Sequence, residues 1–193
     1  YDHRACFAAA TIDDAAAAFR NLKPMAKTSL DGPACLTFLF PGQGAQYPGM
    51  GSGLYETDPE YRHWIDEGAR CLEPTLGFDI RDRLLGKGMS DEDAATAPRE
   101  TSITQPALVL TEVALAKTFA ARGIQPHALI GHSVGEFAAE VIAGVMSFAD
   151  ALTLIAQRGR LMMNQPRGGM LAVRARSDEV EPYLCAAVDI AAR

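Results

Sequence analysis

At 193 residues, 48% of them hydrophobic and 22% charged, the chain is long enough to bury a core and falls at the average composition of soluble domains. Its formal net charge of -6 leaves no basic footprint for nucleic acid, and no apolar run approaches the roughly 20 residues that cross a bilayer. Composition therefore points to a cytoplasmic domain with neither nucleic acid nor membrane as a partner. No signal peptide pattern opens the sequence at Tyr1, and the missing initiator methionine reads as a piece of a longer chain. The four cysteines, Cys6, Cys35, Cys71 and Cys185, form no CxxC pair. Neither a disulfide framework nor a metal site is expected from them, and they read as reduced core thiols.

Residues 3–10 predict a short strand, and 13–23 a helix with acidic residues in its first turn and bases at its end. Two prolines and a glycine in "KPMAKTSLDGP" (23–33) set a boundary. The apolar run "CLTFLF" (35–40) predicts a buried strand stopped by Pro41 and Gly42. Helical patterning follows around 55–72 and again from Pro106 to Arg122, with Pro106 at the first helical position and Gly123 at the C-terminal cap. Residues 127–131 predict a second buried strand, 136–144 a helix, and 147–163 another that opens on the capping box Ser147-x-x-Asp150. A third strand is expected over 168–175, then a helix over about 178–187 and the start of a further strand. Strands joined by helices imply a parallel sheet covered on both faces, an α/β fold.

Three features of this pattern carry chemistry. Gly131-His132-Ser133-Val134-Gly135 matches G-x-S-x-G at a strand-to-helix junction, where small flanking residues permit a turn tight enough to expose the serine hydroxyl at a helix N-terminus. Backbone N–H groups there can hold an oxyanion. The bland alternative is a glycine-bounded turn with a capping serine. "FPGQGAQ" (40–46) follows the other apolar strand; it lacks the third glycine of a dinucleotide fingerprint and the Gly-Lys-Ser/Thr of a phosphate loop. Loops at the carboxyl ends of parallel strands converge on one crevice, so Gln43 could meet an oxyanion formed on a substrate of Ser133. Arg158 falls on the helical face shared by Phe148, Ala151, Leu152, Leu154, Ile155 and Met162. A guanidinium keeps its charge, so an inward arginine asks for an anion, either a protein carboxylate or that of a bound substrate.

With these elements in place, the chain resembles the malonyl-CoA:acyl-carrier-protein acyltransferase family, in particular the acyltransferase domains of modular polyketide synthases. "FPGQGAQYPGMG", "ITQPAL", "GHSVGEFAAEVIAGVMSFADAL" and "QRGRLM" stand in that family's order and spacing over about 35–175. Residues 1–32 resemble the linker from a ketosynthase. The resemblance implies an α/β-hydrolase-like large subdomain over 33–165 and the beginning of a ferredoxin-like small one over 166–193. It makes Ser133 the acylated nucleophile and Gln43 with the Val134 N–H the oxyanion hole; Arg158 grips the free carboxylate of a malonyl group, with Gln105 and His132 also lining the site. No cofactor or metal is expected in the domain. Malonyl-CoA is the implied substrate, and the implied partners are a phosphopantetheine-bearing acyl carrier protein and the adjacent ketosynthase domain.

In that family a branched apolar residue after the serine accompanies malonyl and glutamine accompanies methylmalonyl, so Val134 and the stretch Thr101 to Pro106 favour malonyl. Serine also needs a general base, which the family places about a hundred residues downstream of it, beyond residue 193. Of the histidines here, His132 adjoins the serine and reads as shaping the site, while nothing brings His3, His63 or His127 to it. A serine esterase and a non-catalytic docking module for a carrier protein stay open as alternatives. The first would be indifferent to Arg158→Ala and the second to Ser133→Ala.

Overall fold

The computed structural model describes residues 6–22, 35–86, 100–166, 168–169, 171–185 and 188–190. The boundary expected over 23–33 and the first residues of the strand expected over 3–10 lie outside them. Residues 6–10 carry no strand, since a strand needs a hydrogen-bonded neighbour and none of the described residues supplies one. Helix α1, Ile12–Arg20, follows on a capping box in which Thr11 and Asp14 bond reciprocally, and it buries none of its residues.

Strands β1 (Thr37–Phe40) and β2 (Ala128–Gly131) pair in parallel, Thr37 opposite Ala128 and Phe40 opposite Gly131. A parallel pair needs a long crossover, and here it contains helices α2 (Ser52–Thr57), α3 (Pro59–Leu76), α4 (Ile80–Leu84) and α5 (Thr101–Ala121). Helices α6 (Gly135–Ala143) and α7 (Phe148–Met163) complete the core. The α/β class read from the sequence holds. Among the described residues one face of this pair is covered: Phe40 turns inward and is buried, whereas Leu39 is 71% and Ile130 54% exposed. Successive strand residues face opposite ways, and among the described residues the helices fill one side.

Helix α5 is the central post of that core. It packs on α3, α6 and α7, and Leu108, Val109, Leu110 and Val113 are each no more than 2% exposed. A helix apolar on nearly all sides is one surrounded by neighbours. It begins at Thr101, five residues before the expected start, with Pro106 inside it. Proline there removes only the bond to the carbonyl of residue 102, and burial of the flanking turns outweighs that loss. Gly123 sits just past the C-cap Arg122 with φ +77, a left-handed position that suits glycine.

Helix α3 begins on Asp58, which accepts from the amides of Glu60 and Tyr61, and Pro59 supplies its first turn. Ser147 caps α7 and accepts from the Asp150 amide at 3.1 Å, as the capping box predicts. Two expectations fail near the end of the chain: the described residues of 168–175 form no strand, and the described residues of 178–187 hold only the single turn α8 (Ser177–Val180) and a 3-10 turn, Glu181–Tyr183. Pro182 ends the helical run there, and an antiparallel bridge joins Cys185 to Val188. Nor are the cysteines core thiols: Cys6, Cys35 and Cys185 are exposed and Cys71 is half-buried.

Candidate active site

The turn from β2 into α6 is as tight as its sequence requires. A Cβ on Gly131 would stand 2.4 Å from the Glu136 Cα, and one on Gly135 would stand 2.2 Å from the Phe40 carbonyl oxygen. Both glycines of G-x-S-x-G are therefore demanded by backbone contact. Between them Ser133 has φ +56, and among the described residues no other non-glycine takes a positive φ. Holding an L-residue there costs roughly 1–2 kcal/mol, and the result is an exposed hydroxyl at the head of α6. Gly135 N–H donates to the His132 carbonyl and Glu136 N–H to that of Ser133, whereas the amides of Ser133 and Val134 have no backbone acceptor among the described residues. Those two donors point out of the helix N-terminus.

The loop after β1 meets this turn face on. A Cβ on Gly42 would lie 2.8 Å from His132 Nδ1 and 3.3 Å from the Ser133 Cβ, and His132 N–H donates to the Phe40 carbonyl at 2.9 Å. Only glycine lets the two loops approach so closely. Gly44 follows with φ +114, its N–H donating to Gln46 Oε1 at 2.7 Å. Gln43 is thereby held, exposed, beside the serine turn.

Arg158 on α7 reaches the same place through Gln105 on α5. Its Nη1 donates to Gln105 Oε1 at 2.5 Å, and Gln105 Nε2 donates to Gln43 Oε1 at 3.2 Å and to Met162 Sδ at 3.2 Å. Arg158 is half-buried, and among the described residues no carboxylate pairs with it. The protein carboxylate considered as its anion is thus absent from that set. Gln105 is fully buried; its observed contacts are with the other site residues. The inward face of α7 is Ala151, Leu152, Ile155, Ala156 and Gly159, with Leu154 and Met162 each 45% exposed, so the expected stripe is shifted by part of a turn.

Sequence reasoning passed over Gly159 and read Gly42 only as the stop of a strand. A Cβ on Gly159 would lie 2.9 Å from the Ser102 Cα, so this glycine lets α7 settle against the first turn of α5 and brings Arg158 within reach of Gln105. A glycine in mid-helix costs about 1 kcal/mol against alanine, and that cost is the signal which could have marked it. Met162, assigned only to the apolar face, supplies a thioether acceptor to Gln105. Of the histidines, His127 Nδ1 accepts from the Leu36 amide, and His63 lies beside Glu67 on α3. His3 is outside the described residues. Among the described residues no histidine hydrogen-bonds Ser133, and no cluster could hold a metal ion.

The acyl transferase domain family matches residues 37–190. The chain belongs to that family. It is 42% identical over 156 residues to mycoketide-CoA synthase of Mycobacterium tuberculosis, and 43% identical over 152 residues to the spectinabilin polyketide synthase protein NorB of Streptomyces orinoci. These matches cover 80% and 78% of this chain but only 4% and 7% of those two proteins. Among solved structures, the acyltransferase domain from the second module of the salinomycin polyketide synthase is 38% identical with a TM-score of 0.77, covering 93% of this chain and 42% of that one. The acyltransferase domain of SpnD, in complex with 2-(pent-4-yn-1-yl)malonyl, is 40% identical with a TM-score of 0.70, covering 79% and 35%. The chain thus matches part of an acyltransferase domain, and its relatives are polyketide synthases.

Proposed function

We propose that this chain carries the acyl-enzyme centre of a malonyl-specific acyltransferase, loading malonyl from malonyl-CoA onto an acyl carrier protein in polyketide assembly. The observation that carries the reading is the hydrogen-bonded chain Arg158, Gln105, Gln43, which ends beside the strained Ser133 turn. An esterase of simple acyl groups has no use for an unneutralised guanidinium there. A malonyl group has: its far carboxylate can be gripped bidentately while its thioester carbonyl meets Ser133.

In this mechanism the Ser133 Oγ attacks the thioester carbonyl, and the oxyanion is received by Gln43 Nε2 and the Val134 N–H. The intermediate collapses with loss of the CoA thiol, leaving malonyl as an ester on Ser133. The pantetheine thiol of the carrier protein then attacks that ester and regenerates the serine. The proton of Ser133 passes to a histidine that the family resemblance places beyond residue 193. His132 shapes the loop contact through its bond to Phe40. Phosphopantetheine belongs to the carrier protein; this domain needs no cofactor or metal of its own.

On this reading the unit works in the cytoplasm beside a ketosynthase, with residues 1–32 as the linker, 33–165 as the large subdomain and 166–193 opening a ferredoxin-like small one. Among the described residues no helix is long and apolar enough to cross a membrane. Support for a malonyl-type acyl group comes from Val134 after the serine and from the malonyl derivative named with the SpnD domain.

Intact mass spectrometry after brief exposure to malonyl-CoA and methylmalonyl-CoA together tests the reading. One malonyl adduct, absent from Ser133→Ala, is expected. CoA release without an adduct would indicate hydrolysis, and neither adduct nor release would indicate a docking module.

A further inference from the structure

The side-chain amide of Gln105 is fully buried, and hydrogen bonds hold it at both ends. Its oxygen accepts from Arg158 Nη1 at 2.5 Å. Its NH2 donates to Gln43 Oε1 at 3.2 Å and to Met162 Sδ at 3.2 Å. An amide NH2 carries two donors, so one is spent on the glutamine beside the serine turn and the other on a thioether. Met162 stands four residues after Arg158 on α7, one helical turn along. A single helix therefore grips both ends of this amide, the oxygen through Arg158 and the nitrogen through Met162.

The two grips specify the same orientation independently. If the amide turned over, its NH2 would face a guanidinium that accepts nothing, and its oxygen would face a sulfur that donates nothing. Both bonds would be lost, and a buried amide left unpaired is costly. The grips differ in what a substrate does to them. A carboxylate bound at Arg158 competes with Gln105 for guanidinium N–H groups, because an ionised acceptor makes the stronger bond. A thioether offers a carboxylate no donor, so the contact between Met162 and Gln105 persists.

We propose that Met162 is a positioning residue for acyl transfer, holding the Gln105 amide toward Gln43 while the substrate's carboxylate engages Arg158. The role rests on the malonyl reading of Arg158. Met162 acts through Gln105 and Gln43 and touches no reacting atom. The next residue, Met163, is 50% exposed and takes no part in this set of bonds, which makes it the control.

Two readouts test the role: the side-chain NH2 signals of Gln105 in the NMR spectrum, and the rate of Ser133 acylation by malonyl-CoA followed by intact mass. Met162→Leu keeps the apolar bulk and removes the acceptor, and Met162→Gln returns an acceptor at nearly the same reach. Met162→Leu should shift the Gln105 NH2 signals. It should also lower the acylation rate at saturating malonyl-CoA about tenfold, the worth of one hydrogen bond from a buried donor. The half-saturating concentration should stay unchanged, because Arg158 is intact. Met162→Gln should restore both readouts, and Met163→Leu should alter neither. Unmoved Gln105 signals in Met162→Leu, a rate loss that Met162→Gln leaves uncorrected, or a loss expressed as weaker malonyl-CoA binding overturns the proposal for Met162 alone. An unsubstituted protein that takes up no malonyl overturns the malonyl reading and this role with it.

Discussion

Arg158 donates to the side-chain oxygen of Gln105, and that bond decides which way two amides face. A guanidinium has no acceptor, so the Gln105 oxygen must point at Arg158 and its NH2 at Gln43. The Gln43 oxygen must then point at Gln105, which leaves the Gln43 NH2 free to donate toward the serine. The residue proposed to hold the substrate's carboxylate thus also orients the residue proposed to hold its oxyanion.

Arg158→Ala should therefore lower malonyl transfer far more than acetyl transfer, since acetyl has no second carboxylate. Loss of a hydrogen bond to a charged group, worth about 1.5–3 kcal/mol, corresponds to roughly 10- to 150-fold in kcat/KM. Acetyl transfer should fall only by the smaller amount due to a released Gln43. Parallel kinetics with the two CoA esters check this, and equal losses would remove Arg158 from substrate recognition.

Gln105→Glu should separate stability from function. The new carboxylate pairs with Arg158, so the buried position is satisfied and the unfolding midpoint in denaturant is retained. The same pair competes with the malonyl carboxylate and withdraws the donor from Gln43. Malonyl loading should fall about 100-fold, the worth of one charge-assisted contact plus a misoriented amide. Intact-mass time courses beside urea unfolding curves measure both.

The backbone at Ser133 gives a prediction about stability alone. Glycine adopts φ near +56 without the penalty an L-residue bears, so Ser133→Gly should be more stable than Ser133→Ala by about 1 kcal/mol although neither carries a nucleophile. Gly135→Ala should instead destabilise by roughly 1–3 kcal/mol, because its methyl would enter the Phe40 carbonyl. Denaturant titrations of the three variants give the order.

Glu112 sets a pH dependence of folding. Its carboxyl rises from the ordinary 4.5 to about 8 in the fold through burial, so between those values the folded chain holds a proton that the unfolded chain has released. Stability is therefore full below about pH 4.5 and falls as pH rises toward 8, by at most about 1.4 kcal/mol per pH unit. The carboxyls of Asp58, Asp66 and Asp79 are held low by hydrogen bonds and nearby arginines and titrate below that window. Thermal melts from pH 5 to 8 should show the decline, and Glu112→Gln should flatten it.

Local signals in the sequence determined much of this molecule. Short apolar runs and glycine punctuation located β1, β2 and the helices after them, because tight turns and strand ends are enforced by backbone sterics within a few residues. G-x-S-x-G and the loop at Gln43 were legible for the same reason. What only the tertiary structure decided were relationships between residues distant in sequence. The sequence placed Gln105 ahead of a helix expected to open at Pro106; packing against α3, α6 and α7 carried that helix back to Thr101 and put Gln105 in the core between Gln43 and Arg158. It read 168–175 as a strand from its apolar composition, but a strand exists only against a neighbour. Glu112 passed unremarked within an apolar helix, since a carboxyl becomes costly only once three elements have closed around it.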